Sequence, residues 1–284
     1  MFRLFKTLAA FLLAAVGSIV SAPLAEAQVA FGLNEQLTNT YVVTRAEREV
    51  LVFQNDLLRG PAQAQPHFNA FARFDAATPA HTHLGPVYNR VHVVRGASAT
   101  RARLVSKLRE IASQPGVKAV DLFFITHELG LQHVAFADQR VHIITVKNDL
   151  VFGLPFDQAQ KLRMVYLTAA FSGMYSGIHW FGAGFKLLVG PNQICADTAT
   201  SYAHFLRAWA TGFPIEGVVN RSNNADPLRL RDNAAKALLR HWNYATMANL
   251  LFAWSEVDSK LLIHHYSSRV HELTIHRMLN FPNG

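Results

Sequence analysis

Cysteine is nearly absent from this sequence, since Cys195 is the single cysteine among 284 residues. One cysteine cannot close an internal disulfide and cannot supply a cysteine-rich zinc cluster. Charged residues are also scarce, at 16% of the chain, whereas hydrophobic residues make up 50%. Intrinsically disordered chains have the opposite balance, so the sequence predicts a folded protein with a substantial core.

A basic tract is also missing. Lys and Arg total 27 against 19 Asp and Glu, and the basic residues between positions 45 and 109 are dispersed among apolar ones. Nucleic-acid-binding proteins cluster their basic side chains on one face or in a run. We therefore expect a solvated basic surface and no nucleic-acid partner.

Residues 1–27 have the features of a secretory signal. Arg3 and Lys6 precede an apolar run over 8–16, and the segment ends in Ala25-Glu26-Ala27, the small-x-small form of a signal-peptidase site. An uncleaved anchor is the alternative, but the run is shorter than the ~20 residues that a spanning helix needs. No other stretch is long and apolar enough to span a bilayer. We expect an exported protein, periplasmic or secreted, without an integral membrane segment after cleavage.

The mature chain divides into three predicted segments. Residues 28–86 are an N-terminal extension with a strand-like run at 49–53 and a proline-rich irregular loop over 60–86. Residues 87–212 alternate between strand and helix patterns and form the predicted core. Residues 213–284 have apolar positions at helical spacing, which predicts C-terminal helices packed on that core.

The alternation within 87–212 predicts an α/β fold. Strands are expected at 87–94, 117–126, 162–168 and 185–190, helices at 100–111 and 198–211, and a hairpin with a short helix or turn between 132 and 155. The run 117–126 is apolar almost throughout, which is typical of a parallel strand covered on both faces. The sequence therefore predicts a three-layer αβα architecture with a mostly parallel sheet.

Three predicted loops follow strands at the edge of the sheet where α/β proteins bind ligands. They begin with His127-Glu128, with Thr168 and with Gly190, the last running to Cys195. Histidine is the side chain used most often for proton transfer near neutral pH, so His127 is a candidate general base.

Four short patterns within 87–212 resemble the caspase-like α/β peptidases, especially bacterial members of that superfamily. They are Ala119–His127, Lys161–Ala170, Val189-Gly190 and Phe205-Leu206-Arg207-Ala208-Trp209. In that superfamily one strand ends in the catalytic His followed by Gly, and the next core strand ends in a turn that carries the nucleophilic Cys. The resemblance implies a caspase-like fold, with His127 at the position of the base and Ala170 at that of the nucleophile, or Ala169 if the register shifts by one.

Both catalytic positions depart from the family pattern. Alanine cannot form a covalent acyl-enzyme. Glu128 stands where the family has glycine, and it adds a carboxylate where negative charge would develop during the reaction. The resemblance with these departures implies a catalytically inactive pseudopeptidase, which serves as a binding or structural module for a peptide or protein ligand.

An active cysteine- or serine-type hydrolase is the alternative. Cys195 follows the fourth strand, near the correct end of the sheet, but in a different loop from the one that carries the nucleophile in the family. Ser172 is nearer to Ala170 in sequence, but its neighbours do not form the Gly-x-Ser-x-Gly pattern. Either side chain would need His127 as its base.

The sequence predicts neither a cofactor nor a metal site. His127 and His133 are six residues apart, whereas the zinc pattern His-Glu-x-x-His requires four. His81 and His83 fall in the proline-rich loop without an acidic or cysteine partner in view, so we expect solvated loop histidines.

Overall fold

The computed structural model describes residues 40–55, 75–126, 132–169, 172, 176–191, 198–225, 261–265 and 273–279. All of them belong to one compact unit, Leu37–Gly284, and residues 1–36 lie outside the described ranges. Among the described residues, none of the helices has both the length and the apolar character that crossing a membrane requires.

Strands and helices alternate over most of the described chain. The strands are β1 Thr40–Val42, β2 Arg48–Gln54, β3 Arg90–Arg95, β4 Ala119–Ile125, β5 His133–Ala135, β6 Arg140–His142, β7 Leu162–Leu167, β8 Leu187–Pro191, β9 Leu261–His265 and β10 Arg277–Leu279. The helices are α1 Ala77–Leu84, α2 Arg101–Ala112, α3 Ile143–Gly153, α4 Phe156–Ala159, α5 Gly177–Gly182, α6 Thr198–Ala210 and α7 Ile215–Ala225.

The main sheet has the strand order β3-β2-β4-β7-β8-β9. The first five strands are parallel, and β9 runs antiparallel to β8. The chain adds β3 on one side of β2 and then adds β4 on the other, so the winding direction switches between β2 and β4. The predicted α/β class with a mostly parallel sheet is confirmed.

Helices cover both faces of this sheet. In β2, Val50 and Val52 face a core formed with α1, α6 and α7, while Leu51 and Phe53 face a second core formed with α2, α3 and α5. This alternation follows from the two-residue period of a strand. Every residue of β2, β4, β7 and β8 is buried. The predicted three-layer architecture is therefore confirmed.

The central strand and one covering helix come from the segment predicted as an extension. β2 pairs with both β3 and β4, so it lies inside the sheet. The prediction of an irregular loop over 60–86 is wrong for α1, which contains Pro79. Proline is tolerated in the first turn of a helix because the N–H that it lacks would have no helical acceptor there.

The prediction of helices alone after residue 213 is also wrong. β9 completes the main sheet beside β8, and β10 pairs with β1. The run Leu261-Leu262-Ile263 is short and apolar, and periodicity alone cannot separate such a strand from a buried helical turn. The helices predicted between 226 and 260 lie outside the described residues.

A bulge in β7 turns Arg163 toward Asp121. Val120 pairs with Leu162 and Asp121 with Met164, so Arg163 is the extra residue between them. An extra residue of this kind re-aims the side chains of its strand. Arg163 Nε lies 2.9 Å from Asp121 Oδ1, and Nη2 lies 2.5 Å from Oδ2. This bidentate ion pair is fully buried.

The ion pair holds several distant segments together. Tyr88, just before β3, donates its hydroxyl proton to Asp121 and accepts a hydrogen bond of 2.8 Å from Trp209 Nε1 of α6. Arg163 Nη1 donates to the carbonyl of Ile275 at 2.8 Å. The pair therefore connects β4 and β7 with α6 and with the C-terminal residues.

The surrounding groups preserve these protonation states. Burial would lower the pKa of Arg163, but Asp121 and Tyr88 raise it above its ordinary value. Burial, reinforced by Asp121, raises the pKa of Tyr88 well above 10.0. Arg163 therefore stays cationic, and Tyr88 keeps its proton.

We predict that Arg163→Met destabilises the fold strongly. Removal of one partner leaves the Asp121 carboxylate buried without its cation, which costs about 3–5 kcal/mol in comparable pairs. Urea unfolding of the full chain measures this loss. Arg163→Met combined with Asp121→Leu should lose less than the single variant, because no charge is then left buried alone. A loss of less than about 1 kcal/mol in the single variant would contradict the prediction.

Candidate functional site

Two threonines join the carboxyl ends of β4 and β7. The amide of Thr126 donates to Thr168 Oγ1 at 2.8 Å, and this hydroxyl donates to the Thr126 carbonyl at 2.6 Å. The amide of Thr168 donates to the carbonyl of Phe124 at 3.2 Å. The chain therefore leaves the two strands side by side, at the edge where parallel sheets bind ligands.

The central strand β2 also ends in buried polar side chains at this edge. Gln54 Oε1 accepts from the amide of Ala76 at 3.0 Å, which ties the end of β2 to the start of α1. The amide of Asn55 donates to the carbonyl of Ile125 at 2.9 Å. Both side chains are buried. These hydrogen bonds fix the positions from which the loops of the edge begin.

Most of the predicted site residues lie outside the described residues. These are His127, Glu128, Ala170 and Cys195. Their roles stay predictions.

Ser172, the serine considered as a nucleophile, is described. Its side chain is 2% exposed. Its hydroxyl donates to the carbonyl of Leu167 at 3.1 Å, and its amide donates to the carbonyl of Ala169 at 3.1 Å. Ser172 thus closes the turn that follows β7.

Ala169, the alternative position for the nucleophile, is also described. It is 2% exposed and belongs to the core on the side of α2, α3 and α5. A side chain at position 169 therefore points into packed apolar residues.

The hairpin formed by β5 and β6 is hydrogen-bonded to the same edge of the sheet. Thr126 Oγ1 donates to the carbonyl of Ala135 at 2.8 Å. The amide of Ala137 donates to Ala99 O at 2.9 Å, and that of Ile143 to Gln132 O at 2.7 Å. The hairpin was predicted and is confirmed, although the helix α3 after it is longer than the expected turn.

Three histidines lie in a row beside this hairpin. His133 and His142 are paired across β5 and β6, with ring centroids 5.2 Å apart, and His142 lies 5.9 Å from the ring of His179 on α5. Within the described ranges, no group of three or more His, Cys, Asp or Glu is arranged to hold a metal ion. The row is therefore a cluster of titratable groups without an assigned ligand.

Burial lowers the pKa of two members of the row. For His142, burial acts together with the neighbouring His133. For His179, burial acts together with His142 and Lys147. Both rings thus favour the neutral state in the folded protein. Sequence reasoning missed this row because its members come from three separate elements.

Three further histidines lie outside this row: His81, His83 and His276. His81 and His83 lie on α1, so the expectation of loop histidines is wrong for both. Arg48 Nη1 lies 2.9 Å from His276 Nδ1. Because an arginine can only donate, His276 accepts at that nitrogen and carries no proton there.

We predict that His179→Asn weakens the loss of stability on acidification. The pKa of His179 in the folded state lies below its ordinary value of 6.5, so the unfolded chain binds the proton more tightly and stability falls as the pH drops through this value. Thermal unfolding at pH 7.5 and 5.5 measures the effect. The decrease in Tm should be smaller in His179→Asn than in the wild type.

The matched control is His81→Asn, an exposed position on α1 that is not part of the row. It should retain the wild-type decrease. Identical decreases in the wild type and in His179→Asn would show that the row does not contribute to acid sensitivity.

Comparison with known proteins gives similarity to solved structures only. No family model matches the chain, and no curated protein matches it. Among solved structures, it is similar to caspase-1 from Spodoptera frugiperda, with 10% sequence identity and a TM-score of 0.46, over 81% of this chain and 90% of that one. These findings assign neither a family nor an activity to the chain.

Proposed function

We propose that this chain is an exported caspase-like domain without a peptidase nucleophile, which acts as a binding module for a peptide or protein ligand. The proposal combines the motifs of the sequence with the geometry of the sheet edge. The observation that carries it is the contact between Thr126 and Thr168.

That contact makes the ends of β4 and β7 neighbours. Thr126 and Thr168 exchange two hydrogen bonds. Consecutive Cα atoms are ~3.8 Å apart, so residues that directly follow the two strands start from adjacent backbone. In the sequence His127 follows one strand, and Ala169 and Ala170 follow the other. A general base and a nucleophile must lie within hydrogen-bond distance of each other, and loops that start from adjacent strand ends would allow this. Alanine, however, supplies no nucleophile.

The burial of Ala169 supports Ala170 as the vacant nucleophile position. Ala169 is enclosed by the second core, where an attacking group could not reach a substrate. This favours the register of the family pattern in which Ala170 matches the cysteine.

The state of Ser172 argues against a serine-type hydrolase. Its hydroxyl is buried and donates its proton to the Leu167 carbonyl. A serine nucleophile must instead donate to its base and be accessible to the substrate. Cys195 lies outside the described residues, and the loop that carries it is not the one that bears the nucleophile in the family.

Glu128 favours binding over hydrolysis. It directly follows His127. A carboxylate repels the negative charge that develops on the substrate oxygen during acyl transfer, yet it does not prevent a peptide from binding nearby.

We predict that Ala170→Cys gains peptidase activity, at a rate still limited by Glu128, whereas the wild type has none. The variant restores the missing thiol beside the predicted base. Cleavage of a diverse peptide pool, followed by mass spectrometry, measures the gain. His127→Ala in the same background should reduce the rate on the order of 100-fold or more, because a general base contributes that much.

Ala169→Cys is the matched control, since it adds the same thiol one residue earlier, within the core. It should stay inactive. Cleavage by the wild type that depends on His127 would overturn the proposed inactivity. A folded but inactive Ala170→Cys would overturn the idea that the rest of a peptidase site survives.

We also predict that residues 1–27 are removed during export. The purified mature protein should begin at Gln28, which follows Ala25-Glu26-Ala27. Mass spectrometry of the protein from the extracytoplasmic fraction measures this. Ala27→Arg should retain the segment, because signal peptidase requires a small residue there. An intact N-terminus on the wild-type protein would contradict the prediction.

A further inference from the structure

A groove lies between α2 and the end of α3, away from the threonine pair. Its volume is about 450 Å³, and its lining includes Arg101, Val105 and Arg109 from α2 and Asp149, Phe152 and Gly153 from α3. The three α2 residues are four positions apart, so they form one stripe along the helix. We call this feature the α2–α3 groove.

Glycine at position 153 allows the end of α3 to lie close to Val105 of α2. A Cβ there would collide with Cγ1 of Val105. The end of α3 therefore approaches α2 more closely than any larger residue would permit.

The segment from the end of α3 to the start of α4 exposes large apolar side chains. Phe152 is 88% exposed, Phe156 at the start of α4 is 75% exposed, and Val151 is 47% exposed. Of these three residues, Phe152 lines the groove itself, so its ring is available to a bound partner. Aromatic residues are also enriched at protein interfaces.

The charge of the groove is positive. Arg101 Nε forms an ion pair of 3.0 Å with Asp149 Oδ2 across it. Among the described residues, Arg109 forms no ion pair. Two guanidinium groups thus face one carboxylate. The acidic residue of α2, Glu110, is paired with Lys107.

We propose that the α2–α3 groove binds an acidic segment of another protein. An aromatic or aliphatic side chain of that segment packs against Phe152, and a neighbouring carboxylate binds the Arg109 guanidinium. Arginine is suited to this role because its planar group binds a carboxylate through two hydrogen bonds.

Two other occupants fit the groove less well. An anionic membrane surface is bound by clusters of several Lys and Arg, whereas the lining of this groove has two arginines, one of them paired with Asp149. A second copy of the chain in a two-fold symmetric contact would bring this basic surface against itself. The charge complementarity therefore favours an acidic partner.

The test is selection of a displayed library of random nine-residue peptides on the immobilised full-length chain. We expect the enriched peptides to carry Asp or Glu next to an aromatic or aliphatic residue. Fluorescence polarisation with the best peptide should show at least a tenfold loss of affinity in Phe152→Ser and in Arg109→Glu. Selection on Arg109→Glu should enrich basic peptides instead, a reversal that mere misfolding would not produce.

Arg103→Glu is the matched control, because it makes the same charge change on the exposed surface of α2 without lining the groove. It should bind the peptide within twofold of the wild type. Enrichment without acidic residues, or equal losses in Arg103→Glu and Arg109→Glu, would overturn the proposal. Phe152-dependent binding to vesicles of phosphatidylcholine and phosphatidylserine, without peptide enrichment, would also overturn it and indicate a membrane surface.

Discussion

The buried ion pair between Arg163 and Asp121 is the interaction on which the rest of the structure depends. It lies between two central strands, and its hydrogen-bonding capacity is satisfied from several directions. Tyr88 donates to the carboxylate, the amide of Met164 donates to it at 3.2 Å, and the Ile275 carbonyl accepts from the guanidinium. A buried pair of this kind contributes little net stability compared with apolar residues, but it tolerates only one arrangement of its neighbours. It therefore fixes the register of β7 and the position of the C-terminal segment.

The carboxyl edge of the sheet and the layer formed by α2 and α3 differ in character. The carboxyl edge of the sheet is held by backbone and side-chain hydrogen bonds from Gln54, Thr126 and Thr168, which leave little freedom to the strand ends. The helical layer formed by α2 and α3 has the opposite character, since it exposes Phe152 and also Arg109, which has no ion pair within the described part of the chain. A binding module with two independent surfaces follows from the two proposals together.

The sequence predicted the elements whose patterns are local. The apolar run of β4 and the spacing of Leu104, Leu108 and Ile111 in α2 led to the correct elements. Asp121 was visible within an otherwise apolar strand, but its partner Arg163 was not, because the bulge that turns Arg163 inward depends on pairing with another strand.

The strand order and the histidine row could not be predicted, because both depend on contacts between segments that are distant in the sequence. Nothing in the run Val50–Phe53 shows that β2 is central, because strand order is a property of the whole sheet. Polar residues that directly follow apolar strands, such as Thr126, could have been used to predict which side chains lie at the carboxyl edge of the sheet. The histidine row was not predictable, since His133, His142 and His179 meet only through the hairpin and α5.

The hydrogen bonds that the Ile275 carbonyl accepts have a consequence for biosynthesis. The Ile275 carbonyl accepts from Arg163 and from Arg48, which precede it by 112 and 227 positions. In a nascent chain Arg163 can pair with Asp121, and Arg48 can donate to the Val87 carbonyl, but the Nη1 atoms of both lack the Ile275 acceptor until that residue has left the ribosome. The hydrogen-bond network around Arg163 is therefore completed only when almost all of the described chain has been synthesised.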